Sequence, residues 1–142
     1  MAAFNKFNSF VEACTEKVHN LGSDDLRVAL TNTAPVAGDT QYLPGSSHPV
    51  PAAANGYPAG GAAPVISSSA QSGGTYKLVL ADVVFTAAGG SIGPFRYAIL
   101  YNNTAAGDEL IGWFDYGTSI TLLTGETFTV DFDAGTGVLT LA

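Results

Sequence analysis

Positive charge is the scarcest resource in this chain. Five lysines and arginines stand against twelve acidic residues in 142, giving a net charge of −7. The five (Lys6, Lys17, Arg27, Lys77 and Arg96) are scattered, so no basic run could neutralise a row of phosphates, and nucleic acid is not an expected partner. An anionic membrane surface would repel the chain for the same reason. Cys14 is the single cysteine, which excludes an internal disulfide and a cysteine metal cluster. No apolar run approaches the length of a membrane span. The N-terminal stretch is interrupted by Glu12, Glu16 and Lys17, unlike the apolar core of a signal peptide, so synthesis in a cytosol without secretion is expected. Charged residues of both signs make up only 12%, about half the usual share. The surface must then be built largely from Ser, Thr, Asn, Gly and Ala. Such a surface suits lasting contact with other protein, because few charges have to be stripped of water.

What is present is apolar and turn-rich. Hydrophobic residues are 46% of the sequence, enough for a core within a single domain spanning 1–142. A folded monomer of this mass exposes roughly 6,900 Å². Phe4, Phe7, Val11, Cys14, Val18 and Leu21 recur at steps of three and four, which predicts an amphipathic helix over 4–21. Asn5 would cap its start and Gly22 would take the left-handed position past its end. Leu26–Thr31 alternates Leu26, Val28 and Leu30 with Arg27, Ala29 and Thr31, the pattern of a half-buried strand.

Residues 32–64 break every period. They hold six prolines, five glycines and eight alanines, with Asp39 as the only charge. Tyr42, Leu43, Val50 and Tyr57 set this segment apart from ordinary disorder. Proline-rich, uncharged backbone loses little entropy on ordering, so an extended arm lying on a neighbour is one expectation. A loop folded onto its own domain is the other.

From Val65 onward strands follow one another, with 65–142 as the β core. The expected strands are Val65–Ser69, Tyr76–Thr86, Phe95–Tyr101, Glu109–Tyr116, Ser119–Leu123, Glu126–Phe132 and Val138–Leu141, separated by glycine- and asparagine-bearing turns. With Leu26–Thr31 this makes about eight antiparallel strands, spaced as in a mainly β sandwich or jelly roll. They follow too closely for crossover helices. Eight strands leave unpaired edges, so a homo-oligomer, dimer or trimer, is compatible with the pattern.

Candidate chemistry is thin. His19 near a helix end favours the dipole without further role, and His48 lies in the proline-rich segment. No Gly-x-Ser-x-Gly elbow accompanies them, so no catalytic residues are assigned and the chain is not expected to be an enzyme. Asp131-Phe132-Asp133-Ala134-Gly135-Thr136-Gly137 faintly resembles a calcium loop but lacks a third oxygen ligand and the distal glutamate. No metal and no cofactor are expected. Gly89-Gly90-Ser91-Ile92-Gly93 runs into Pro94 and a strand, so it reads as a turn. Asn102-Asn103-Thr104 matches a glycosylation sequon. Trp113, Phe114, Tyr116, Tyr97 and Tyr101 read chiefly as core; an exposed Trp113 platform would instead suit a carbohydrate-binding β-sandwich.

Several strings carry a resemblance. Phe4-Asn5-Lys6-Phe7-Asn8-Ser9-Phe10-Val11-Glu12, Lys17-Val18-His19-Asn20-Leu21-Gly22 and Leu30-Thr31-Asn32-Thr33-Ala34-Pro35 are similar to small proteins encoded among tailed-bacteriophage virion genes. Gly73-Gly74-Thr75-Tyr76-Lys77-Leu78, Gly93-Pro94-Phe95-Arg96-Tyr97 and Leu110-Ile111-Gly112-Trp113 continue the likeness over nearly the whole chain. The resemblance implies a capsid decoration, or cement, protein of jelly-roll fold. It would be made in the bacterial host and sit on the outer capsid of the virion, bridging capsomers of the major capsid protein. A tail, fibre or receptor-binding module of the virion is the alternative. The expected contact residues are Phe4, Phe7, Phe10, Tyr42, Leu43, Val50 and Tyr57. Deleting 36–62 is expected to leave a folded domain that no longer decorates particles.

Overall fold

The computed structural model describes residues 2–142. Their order is β1 (Phe4–Lys6), α1 (Ser9–Thr15), β2 (Leu26–Thr31), β3 (Ile66–Ser72), β4 (Thr75–Leu80), β5 (Val83–Thr86), β6 (Ile92–Asn102), β7 (Leu110–Leu122), β8 (Thr127–Val130) and β9 (Leu139–Leu141). The protein is mainly β, with one short helix among the described residues. A four-stranded sheet runs β1-β7-β6-β2, a three-stranded sheet β3-β4-β9, and β5 pairs with β8. Every pairing is antiparallel. The exposed surface, 6751 Å², meets the expectation from mass.

One core joins the three sheets. Val28, Leu30, Ala98, Leu100 and Phe114 from the four-stranded sheet meet Leu78, Leu80, Phe85 and Val130 from the other two. Each large side chain so buried contributes about 1.5–3 kcal/mol. The alternate residues of the same strands, Ala29, Ile99 and Tyr101, point to the opposite face and are buried there as well. Strand β2 is therefore buried on both faces, not half-buried as its alternation suggested; only Arg27 is partly exposed.

The helix is shorter than its periodicity predicts. It covers Ser9–Thr15 rather than 4–21, and Phe4 lies in β1 opposite Phe114. It stops because Lys17 turns left-handed (φ 69°), letting the Val18 N–H donate to the Ala13 carbonyl at 2.9 Å. That six-to-one bond is a Schellman ending, placed five residues before the expected Gly22. Phe7 and Phe10, three apart, enter different clusters on either side of the four-stranded sheet.

Two strand expectations are also corrected. Tyr76–Thr86 is two strands in different sheets, divided at Ala81-Asp82, where the Asp82 carboxylate accepts the Phe132 N–H at 2.9 Å. Glu109–Tyr116 and Ser119–Leu123 are instead the single strand β7. Its turn signal, Gly117 at φ +85°, lies in an excursion where Asp115 to Ile120 faces only Tyr97 to Phe95. The strand bulges there and resumes pairing with the same neighbour.

Candidate partner-binding surface

Residues 32–64 fold back onto their own domain as a layer: the part around Tyr42 and Val50 covers the outer face of the four-stranded sheet, and residues 55–62 run past β5 and along the edge of β2. The Tyr42 ring stacks on Tyr101 at 4.1 Å, with 19° between planes. The Tyr42 N–H donates to the Asp108 carbonyl and the Leu110 N–H to the Thr40 carbonyl, fastening the layer to the start of β7. Further on, Val28 and Ala62 exchange two backbone hydrogen bonds, 2.8 and 2.9 Å, along the outer edge of β2. Tyr57 stacks on Phe85 and its hydroxyl accepts the Leu30 N–H. The segment thus covers an apolar face and closes a sheet edge in its own chain. Of the two expectations, folding back onto the domain is what the structure shows.

A histidine organises the layer. His48 is fully buried, and its Nδ1 accepts the Leu43 N–H at 3.2 Å. That bond leaves the proton on Nε2, which donates to the Asp39 carboxylate at 3.1 Å. The same carboxylate oxygen accepts the Val36 N–H. Both ring nitrogens are engaged, so in this arrangement His48 anchors a loop and has no lone pair left to take a substrate proton.

This arrangement redistributes the expected contact residues. Phe7, Phe10, Tyr42 and Tyr57 are 0%, 1%, 5% and 3% exposed, so they hold the fold and cannot meet a partner as it stands. Phe4 is half-buried, its ring against Phe114 and in the space that the missing side chain of Gly112 leaves. Val50 is half-buried between the two clusters. Leu43 remains outward, 44% exposed, and is joined by Val36 at 64%. Sequence reasoning passed over Val36, although an apolar residue in an uncharged segment was the available signal. The outward face of the layer carries no free charge: Asp39 is its only ionisable carboxylate and is already bonded twice.

The remaining constellations serve the fold. Asn102, fully buried, accepts the Thr104 and Ala105 N–H groups on Oδ1. Its amide nitrogen must then donate, to His19 Nδ1 at 2.9 Å and to Asp24 Oδ2 at 2.7 Å. His19 is therefore neutral with its proton on Nε2, and burial lowers its pKa in the same sense. Asn102 is inaccessible as a glycosylation acceptor. Asp133 accepts the Gly135 and Thr136 N–H groups, holding the 131–137 turn, and these bonds lower its pKa. Burial raises the Cys14 thiol, which disfavours a reactive thiolate. Trp113 is half-buried and packs on Phe7 at 4.6 Å, while Tyr97 and Tyr101 are buried. Among the described residues no three potential ligands gather around a metal position, and no helix is long and apolar enough to cross a membrane.

No protein-family model matches the chain, and neither a curated protein nor a solved structure is significantly similar to it.

Proposed function

We propose that the chain is a structural virion protein that docks on the outer surface of a tailed-bacteriophage capsid and cements neighbouring capsomers of the major capsid protein. The observation that carries this reading is the layer over 32–64: an ordered, proline-rich surface with no free charge and with Val36 and Leu43 outward. A rigid, uncharged patch loses little entropy and little hydration on docking. The sheets packed about one core are compatible with a β-sandwich, and the reading includes a jelly-roll connection of its strands. The class of assembly in this proposal is the one implied by the resemblance of short strings such as Gly93-Pro94-Phe95-Arg96-Tyr97 to virion proteins. Self-association as a dimer or trimer belongs to the same proposal.

The role is physically economical. A protein that touches two capsomers makes its second contact at high effective concentration. A standard interface takes roughly 800 Å² per partner, which this surface of 6751 Å² can supply more than once.

The test is stoichiometry on purified particles. A ratio to the major shell protein near one, or a simple fraction of it, supports the cement role. A few copies per particle transfer the chain to the tail or fibre. Absence from particles removes the structural reading.

A further inference from the structure

A second candidate surface lies outside residues 32–64. β1 ends the four-stranded sheet and β9 ends the three-stranded sheet, so each has an edge without a partner strand. A groove of about 450 Å³ lies along these two edge strands, with Phe4, Phe10, Leu139 and Leu141 supplying apolar wall and Lys6 the only charge. A second groove of about 490 Å³ shares Leu141 with the first and is lined by Tyr76 and Ser69, with Lys17 as its only charged wall residue.

The charges identify what would fit. Arg27 is held by Asp25 and Arg96 by Asp115, while Lys77 donates to the Gly135 carbonyl. Lys6 and Lys17 have no carboxylate within 4 Å among the described residues. In a chain of net charge −7, the two cations with neither an ion-pair nor a hydrogen-bond partner among the described residues both line this double groove. His19, whose buried Nε2–H lacks an acceptor, forms part of the wall beside Lys17.

We propose that the groove beside β9 binds an extended, acidic segment of a partner protein, which adds a strand to the β9 edge. Strand addition satisfies the outward backbone groups of β9, and alternate side chains of the segment fall on Phe4 and Leu141. Carboxylates on the segment meet Lys6 and Lys17. The uncharged layer over 32–64 and this basic groove then constitute two chemically distinct contact sites on one small protein.

The test uses the full chain, isotopically labelled, titrated with a capped peptide of alternating valine and glutamate. The control is the same peptide with lysine for glutamate. Expected are saturable amide shifts at Lys6, Leu139 and Leu141 with the acidic peptide alone. The double variant Lys6→Glu, Lys17→Glu should weaken that binding at least tenfold and admit the lysine peptide. Both lysines are exposed, and an unchanged amide spectrum elsewhere establishes that the variant folds. If the double variant fails that control, Lys6→Gln alone is titrated instead, and a loss of at least threefold is expected. No saturable shift at millimolar peptide, shifts confined to other strands, or binding indifferent to these substitutions overturns the proposal. The readout is peptide binding in solution, so a failed particle assay leaves it standing.

Discussion

Leu30 donates its backbone N–H, across 3.1 Å, to the hydroxyl of Tyr57, a residue that reaches it from the covering layer. β2 is an edge strand, and its outward N–H groups would otherwise be open to another chain. Val28 uses Ala62 for the same purpose, and Leu26 uses the Asp24 carbonyl. Tyr57→Phe should leave the Leu30 N–H buried and unpaired, destabilising the fold by about 1–3 kcal/mol. Tyr42→Phe provides the contrast. The Tyr42 hydroxyl is buried without a partner, so its removal should raise stability by about 1 kcal/mol. Urea unfolding of both variants checks the opposite signs.

Gly61 marks where the layer meets β2 most closely. A Cβ there would overlap the Val28 carbonyl oxygen, and φ is already +83°. Gly61→Ala should cost about 3 kcal/mol or more. Gly73→Ala, in an open hairpin turn at φ +59°, should cost only about 1 kcal/mol. Thermal unfolding of the pair separates close approach from backbone strain.

Outward residues of the layer should matter to a partner and little to the fold. Val36→Asp and Leu43→Asp are expected to shift stability by less than about 0.5 kcal/mol. Occupancy on particles should fall about tenfold or more, because a charge must then be buried in the contact. Deletion of 36–62 is no longer the informative variant. It would uncover Ile99, Tyr101 and Leu110 and remove the cover of β2, so an aggregated or unfolded product is expected.

Two pH windows follow from the buried rings. Burial holds His19 neutral, with a folded pKa below the ordinary 6.5. The unfolded chain binds the proton first, so stability should fall as pH drops below about 6.5, and His19→Gln should flatten that limb. Burial raises Tyr57, Tyr101 and Tyr116 to about 12. The unfolded chain loses those protons first, so stability should decline as pH rises from about 10 to 12. Denaturant midpoints across both ranges test the signs.

Local order in this protein was legible wherever a period survives. Leu26–Thr31 is a strand with the bounds its alternation gave, and Thr127 to Val130 keeps its period of two. The helix was overextended because the core residues Phe7 and Leu21 and the half-buried Phe4 and Val18, from a strand and from loops, happen to continue a helical spacing. The layer was illegible for a different reason. A stack such as Tyr42 on Tyr101 joins an aperiodic segment to a distant strand and leaves no local pattern. A trace was present in Ala98-Ile99-Leu100-Tyr101, an unbroken apolar run on a strand whose second face had to be covered by something. Of the expected contact residues, Phe7, Phe10, Tyr42 and Tyr57 point into the core, while Leu43 stays outside together with Val36, which was not among them.

The stacking of Tyr42 on Tyr101 has a mechanical meaning. Tyr101 belongs to β6, whose ladders with β2 and β7 are the most extensive in the molecule. A tangential force applied to the outside of the layer would pass through that ring pair and be resisted by two ladders loaded in shear, with many backbone hydrogen bonds strained together. Peeling the layer away from Ala62 would break its bonds in succession. A molecule built this way would yield far more readily to lifting than to sliding.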